Sequence, residues 1–440
     1  MIKNLIVLAI CMSFLPGLRA QMNEIPFTEF DLDNGLHVIL HQDNSTPIVA
    51  VSVLYHVGSK NEDPNRTGFA HFFEHLMFEG SKYINRGEFD TYVSNAGGVN
   101  NANTSMDRTF YYEIFPSNQL ELGLWLESER MMHAKIDSKG IETQREVVKE
   151  EKRQRVDNQP YGTWLSNSFE RAYQEHPYQW PVIGSMDHLN AASDEDFQNF
   201  YKNYYLPNNA TLSIAGDIDI EEARQLAEKY FGEIPSGPEV DHPTVVEPPL
   251  AGPIVDTVYD NISLPAIFLT YRISAQTDPD IYAIKMLGTL LSGGESSRMV
   301  KKLQNEEKLA IQVSNFPMDL EDPGVSFIIA LPNVGVELGT LLDGIDAEIE
   351  KVQTELISER EYQKLQNQFE SRFIQSNTSM VSIAESLANY YTYFGNTNLI
   401  NTEIENIKKV TREDIRRVAQ EYFTPDNRVV LFYLPKQQNQ

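Results

Sequence analysis

The chain has 440 residues, of which 63 are acidic and 36 basic, giving a formal net charge of −27. That surplus of negative charge speaks against nucleic acid and anionic membrane surfaces as partners. Hydrophobic residues at 41% supply cores for two or three domains; the single cysteine, Cys11, falls in the leading segment, so neither disulfides nor thiol chemistry serves the rest.

Residues 1–20 read as a secretory signal peptide. Lys3 gives the basic start, Leu5 to Leu15 form an apolar run too short to span a bilayer, and Ala20 is a small residue at the cleavage point. The expected mature chain is therefore periplasmic or secreted. No later stretch approaches about eighteen uninterrupted apolar residues, so no membrane span is expected. Thr28 to Leu32 and Leu36 to His41 flank Asp33-Asn34-Gly35, a hairpin signal, and Ile48 to His56 reads as a further strand. His37, His41 and His56 lie on these strands and are read as packing or surface residues.

Next comes Gly68-Phe69-Ala70-His71-Phe72-Phe73-Glu74-His75-Leu76-Met77-Phe78. With Thr67 as its expected N-cap, this segment is a helix whose positions i and i+4 share a face, so His71 and His75 can converge on one ion. Glu74 stands close enough to that face to reach a water on the metal. The pattern H-x-x-E-H is the zinc-protease motif H-E-x-x-H read in reverse. Phe69, Phe72, Phe73, Leu76 and Met77 surround the histidines with apolar surface, and buried neutral imidazoles beside a carboxylate call for a partner that a metal supplies. Asn118 with Glu121 starts a helix expected to bury Leu122, Leu124, Trp125 and Met131.

A catalytic zinc takes three protein ligands and leaves a position open. The segment Gly140 to Arg153 offers four carboxylates on an expected helix. If Val147 and Val148 mark its inward face, Glu151 and Gln144 point nearest the centre of that face, while Glu142, Glu146 and Glu150 turn to solvent. Glu151 is thus the expected third ligand. Further on, six prolines between Pro235 and Pro253 mark an extended linker. On either side lies a repeat: Ser193-Asp194-Glu195-Asp196-Phe197 resembles Thr411-Arg412-Glu413-Asp414-Ile415, each a capping box. The match runs on without gaps from Tyr204-Tyr205-Leu206-Pro207-Asn208-Asn209 to Tyr422-Phe423-Thr424-Pro425-Asp426-Asn427, and then into an apolar strand in both. Duplication explains this best. The expected organisation is a metal-binding domain over 21–234, a linker over 235–253 and a related domain over 254–440. The second half has no further H-x-x-E-H, so only the first can carry the metal.

These residues resemble the pitrilysin family of metallopeptidases, which includes insulin-degrading enzyme and the mitochondrial processing peptidase. In that family H-x-x-E-H is followed by a glutamate that completes the zinc site, and Glu151 stands at the matching position. Gly97-Gly98-Val99-Asn100-Asn101-Ala102-Asn103-Thr104 resembles the family's glycine-then-Asn-Ala stretch at a sheet edge beside the metal, and Pro177-Tyr178 and Pro181-Val182-Ile183-Gly184 match another family stretch. The resemblance covers nearly all of the mature chain. It implies an α+β fold of two tandem related domains, each a largely antiparallel sheet packed with helices. It also implies one Zn2+ per chain held by His71, His75 and Glu151, with Glu74 as general base. A peptide substrate would add as a strand alongside Asn101 and Ala102. The expected function is that of an exported zinc endopeptidase; the alternative is a scaffold or core subunit that kept the fold without catalysis.

Two departures bear on this. Many relatives carry a glutamate where this chain has Gln144, and an amide can orient a ligand but cannot titrate. In the second domain, after Gly293-Gly294-Glu295-Ser296-Ser297-Arg298, active relatives place an arginine and a tyrosine that hold substrate; here those positions are Gln304 and Ile311. The resemblance therefore implies the zinc subunit of a heterodimer with a metal-free relative, or else a homodimer in which nearby residues replace the pair.

Overall fold

The computed structural model describes residues 24–242 and 244–436, so the expected signal peptide lies outside the described residues. Six strands form the first sheet: β1 (Thr28–Asp31), β2 (His37–Gln42), β3 (Ile48–Tyr55), β4 (Val99–Thr104), β5 (Thr109–Pro116) and β6 (Ala210–Gly216), in the order β1-β2-β6-β3-β5-β4. Five form the second: β7 (Ile254–Asp260), β8 (Ala266–Arg272), β9 (Ala310–Met318), β10 (Val325–Pro332) and β11 (Arg428–Pro435), in the order β7-β11-β8-β10-β9. With β1 set aside, the two orders are the same. Each sheet has one parallel pair, β2 with β6 and β7 with β11, and is otherwise antiparallel. The fold is thus α+β in two domains, as the resemblance implied.

Local sequence accounts for much of this. Asp33-Asn34-Gly35 turns β1 into β2, with Gly35 at φ 86°, where a glycine is favoured. The Asn34 amide donates to the carbonyls of Phe231 and Ile234, which fixes the turn against the end of the helix Ile220–Phe231. Both expected capping boxes form: Ser193 with Asp196 opens the helix Asp194–Tyr204, and Thr411 with Asp414 opens Arg412–Tyr422. Each is followed by a short 3-10 turn, Pro207–Asn209 or Pro425–Asn427, and then by the central strand β6 or β11.

One face of each sheet packs on its own domain's helices, Phe72, Leu124 and Phe197 against Val51 and Leu212 in the first, and Leu287, Ile345 and Ile415 against Leu269 and Ile328 in the second. The opposite faces are covered by exchange. The helix Met380–Phe394 of the second half lays Ile383, Ala384 and Leu387 on Ile39, Ala50 and Ala215 of the first sheet. In return the helix Trp164–Ala172 lays Phe169 and Ala172 on Phe268, Phe327 and Leu431 of the second.

Two local expectations need correcting. Thr67 does not cap the helix Phe69–Leu76; Gly68 is the N-cap residue, left-handed at φ 96°, and the Thr67 hydroxyl meets His188 Nδ1 instead. Asn118 makes no capping bond either. A 3-10 turn over Ser117–Gln119 runs directly into the helix Leu120–His133, which buries Leu124 and Met131 but leaves Leu122 and Trp125 half-buried.

Candidate metal centre

The free N–H groups at the start of the helix Phe69–Leu76 are met from outside it. The buried Glu62 carboxylate accepts from Gly68 N and Ala70 N, both at 2.8 Å. Burial pushes Glu62 up to about 8 against the pull of those N–H groups. The entry is tight as well: a Cβ on Gly184 would lie 2.3 Å from Gly68 Cα, so the Pro181–Gly184 stretch needs its glycine to pack there.

From this helix His71 and His75 project side by side, ring centroids 5.0 Å apart. The second contributor is the helix Ser138–Lys152, opened by Asp137, whose carboxylate accepts from Gly140 N at 2.8 Å. Its inward face is Ile141, Arg145 and Val148. Val147, expected inward, is 44% exposed, yet Glu151 and Gln144 do face in. Glu142, Glu146 and Glu150 are exposed, as expected. Glu151 Oε2 lies 3.5 Å from His71 Nε2 and 3.2 Å from His75 Nε2, and one ligand atom from each of the three residues falls within 4.8 Å of the others.

The electrostatics suit a cation. Burial, then the neighbouring His75, lowers His71 to about 4, so the imidazole is neutral with a free lone pair. Glu151 is held below the usual carboxylate range, first by the His75 ring beside it, although the pair is too poorly aligned for a directed hydrogen bond. Glu151 Oε2 and His71 Nδ1 are both buried without a hydrogen-bond partner. Two imidazoles and a carboxylate crowded around one point, with a buried orphan oxygen among them, fit a divalent zinc ion. The other Glu151 oxygen takes Arg155 Nη1 at 2.6 Å; Arg155 is 77% exposed and sits on a π-helical turn, Arg153–Asp157, that follows the helix Ser138–Lys152 directly.

Glu74 stands next to the cluster, and burial raises its proton affinity against the lowering effect of its hydrogen bond from Thr104. Thr104 Oγ1 donates to Glu74 Oε2 at 2.7 Å, tying the helix to the end of β4. β4 is the edge of its sheet, with Asn101 exposed and Ala102 buried on it. Gln144 makes no hydrogen bond to the cluster. Its Nε2 donates to Glu79 Oε1 at 2.5 Å, and Glu79 is also paired with Arg86. Gln304 lies on a π-helical segment, Val300–Glu306, and both ends of its amide are bonded to β9: Nε2 donates to the Ile311 carbonyl at 3.1 Å, and Oε1 accepts from Val313 N at 3.0 Å. The Ile311 side chain is 47% exposed. Sequence reasoning missed Glu62, Thr104 and Arg155. Arg155 was detectable as an i, i+4 partner of Glu151, and Thr104 ends the Asn-Ala stretch already singled out.

Two family models match the chain, Insulinase (Peptidase family M16) over residues 37–185 and Peptidase M16 inactive domain over residues 191–369. The chain is 33% identical over 415 residues to zinc protease PqqE of Helicobacter pylori, covering 92% of each. It is 24% identical to a probable mitochondrial-processing peptidase subunit beta of Arabidopsis thaliana, covering 89% of this chain and 75% of that one. Among solved structures, a protease from Helicobacter pylori aligns with a TM-score of 0.88 at 31% identity, covering 93% of this chain and all of the other. The periplasmic protease PqqL from Escherichia coli aligns with a TM-score of 0.77 at 19% identity, over 94% of this chain and 48% of its own length.

Proposed function

The chain belongs to the M16 peptidase family, and from that premise we propose that it is an exported, zinc-dependent endopeptidase that cleaves peptides or unfolded segments. The observation that carries this reading is the convergence of His71, His75 and Glu151 within 4.8 Å beside a Glu74 that is hydrogen-bonded to an edge strand. His71, His75 and Glu151 would hold one Zn2+ per chain. When bound, zinc polarises a peptide carbonyl and lowers the pKa of water to roughly 7. Glu74 would take the proton of the attacking water and pass it to the leaving nitrogen, a role for which its raised proton affinity suits it. Thr104 would hold that carboxylate in line with β4, along which the substrate strand runs past Asn101 and Ala102.

A scaffold role is the competing reading. It gives no reason for two imidazoles and two carboxylates to be gathered at one point. The second domain favours a partnership: Gln304 is committed to β9 and Ile311 offers only an exposed apolar side chain, so neither can hold a substrate carbonyl. The proposed assembly is therefore a heterodimer with a metal-free relative that supplies those contacts; in the alternative homodimer, other residues would have to replace the pair. Among the described residues no helix is long and apolar enough to cross a membrane, and the leading segment 1–20 is the proposed export signal.

The test is metal analysis and cleavage of an unstructured peptide by the purified chain, with and without a metal-free relative. About one zinc per chain is expected, lost in Glu151→Gln. Glu74→Gln should keep the zinc and lose about 10²–10⁴-fold in rate. No bound zinc after zinc is supplied, or unchanged cleavage by Glu74→Gln, overturns the reading. Full activity of the isolated chain overturns the heterodimer.

A further inference from the structure

The two sheets end in corresponding edge strands, β4 in the first and β9 in the second. Followed through the ladders from the matched strands β6 and β11, the register sets Asn100, Ala102 and Thr104 against Val313, Asn315 and Pro317. An exposed edge presents a row of N–H and C=O groups to any extended chain. At β9 the donors of that row from Val313 to Pro317 are taken or missing. Gln304 accepts from Val313 N at 3.0 Å and donates to the Ile311 carbonyl at 3.1 Å. The Ser292 hydroxyl accepts from Asn315 N at 2.6 Å and donates to the Asn315 carbonyl at 3.1 Å. Two residues further, Pro317 has no N–H to offer. Successive outward positions of an edge strand lie two residues apart, so each outward donor from Val313 to Pro317 is either bonded by a side chain or missing.

β4 is different. Among the described residues no side chain hydrogen-bonds the main chain of Val99 to Thr104; the bonds there, Asn100 to Asp90, Asn103 with Arg108 and Thr104 to Glu74, join side chain to side chain. We propose that Gln304, Ser292 and Pro317 are an edge guard that closes β9 to strand addition and leaves β4, of these two corresponding edges, as the one that accepts an extended peptide. The inference rests on the reading of β4 as the substrate edge. It gives the second domain a specificity role: a substrate strand that paired with β9 would be held away from Glu74 and would not be cut. A glutamine whose amide mimics the pairing of a neighbouring strand also explains why that position cannot reach a substrate.

The experiment uses the full chain carrying Glu74→Gln to prevent turnover, an extended Val-Thr peptide bearing a benzophenone as the probe, and peptide mapping of the crosslinks. The expected result is labelling of β4 and not β9 in this parent, and labelling of both once Ser292→Ala and Gln304→Ala are added. Amide exchange at Val313 should rise by about tenfold in Gln304→Ala alone, which reports the guard even if the double variant folds poorly. Labelling of β9 in the parent, or a β9 that stays unlabelled with unchanged Val313 exchange in the variants, overturns the guard. Absence of label at β4 counts against the substrate reading, while labelling and exchange at β9 still decide the guard.

Discussion

Glu74 and Glu151 stand beside the same imidazoles, yet their surroundings push them in opposite directions. Burial raises one, and the adjacent ring lowers the other. Carboxylates separated in this way divide into a proton carrier and a fixed charge, the division that metal-assisted hydrolysis needs. Thr104→Val removes the hydrogen bond that aims Glu74 while keeping the shape of the side chain. The expected outcome is about a tenfold fall in kcat with zinc content unchanged, read by steady-state kinetics and metal analysis. A second residue-scale prediction concerns Arg130, which is buried with Glu113 and Glu127 and has its guanidinium 4.4–4.6 Å from the rings of Phe78, Phe89 and Tyr111. Phe78 follows the histidine helix, so this cluster fixes where that helix ends. Arg130→Met would strand two carboxyl groups without a cation and should cost about 3–5 kcal/mol in denaturant unfolding.

At the scale of elements, the loop between β9 and β10 closes one domain on the other. Lys60, only 2% exposed, meets Glu321 at 2.5 Å and Asp107 and Asp322 at 3.3 Å, and His56 Nε2 is 2.8 Å from Glu321. Burial works against the Glu321 charge, but the hydrogen bonds from His56 and Lys60 prevail and hold it at about 2. Its folded value lies below the ordinary 4.5, so its contribution to stability is fully present above about pH 4.5 and is lost as the pH falls toward 2. Lys60→Met should weaken that acid-side slope, with His56 keeping part of it, and lower stability by about 3–5 kcal/mol, measured as denaturation midpoints across pH.

Elements also show what could be read in advance. Helix phase placed Glu151 on the inward face, where it lies, even though Val147 faces solvent. The true inward face includes Arg145, a polar residue that hydropathy discounts and that packs over the Phe197 ring at 5.8 Å. The N-cap assignment failed because the capping carboxylate, Glu62, comes from outside the helix and its immediate flank. The hairpin and both capping boxes were legible because each is decided within a few residues. The strand order was not, since β2 pairs with β6 across most of the first half of the chain.

For the molecule as a whole, the duplication that shows in the matched capping boxes extends to the sheet topology apart from β1, but not to the chemistry. Glu151 stands as far beyond its N-cap Asp137 as Arg372 does beyond Ser358, and Arg372 donates to Thr289 Oγ1 at 3.1 Å. A hydrogen bond stands at the sequence position that corresponds to the proposed ligand of the first domain, in keeping with one proposed metal per chain. The exchanged helices make the halves mutually dependent. Co-expressed as separate chains divided within 235–253, they should co-purify as a complex, while each alone should aggregate through its uncovered sheet face, as judged by size-exclusion chromatography.

The same exchange sets a timetable. β6 completes the first sheet, but one face of that sheet stays bare until Met380–Phe394 has followed it. At ~5–20 residues per second of synthesis, that wait is of order ten seconds or more. Throughout it Ile39, Ala50 and Ala215 face water or a holding chaperone. A first domain that cannot be completed before Met380–Phe394 appears would stay open to rearrangement until synthesis is nearly over, the state that the proposed export of an unfolded chain would require.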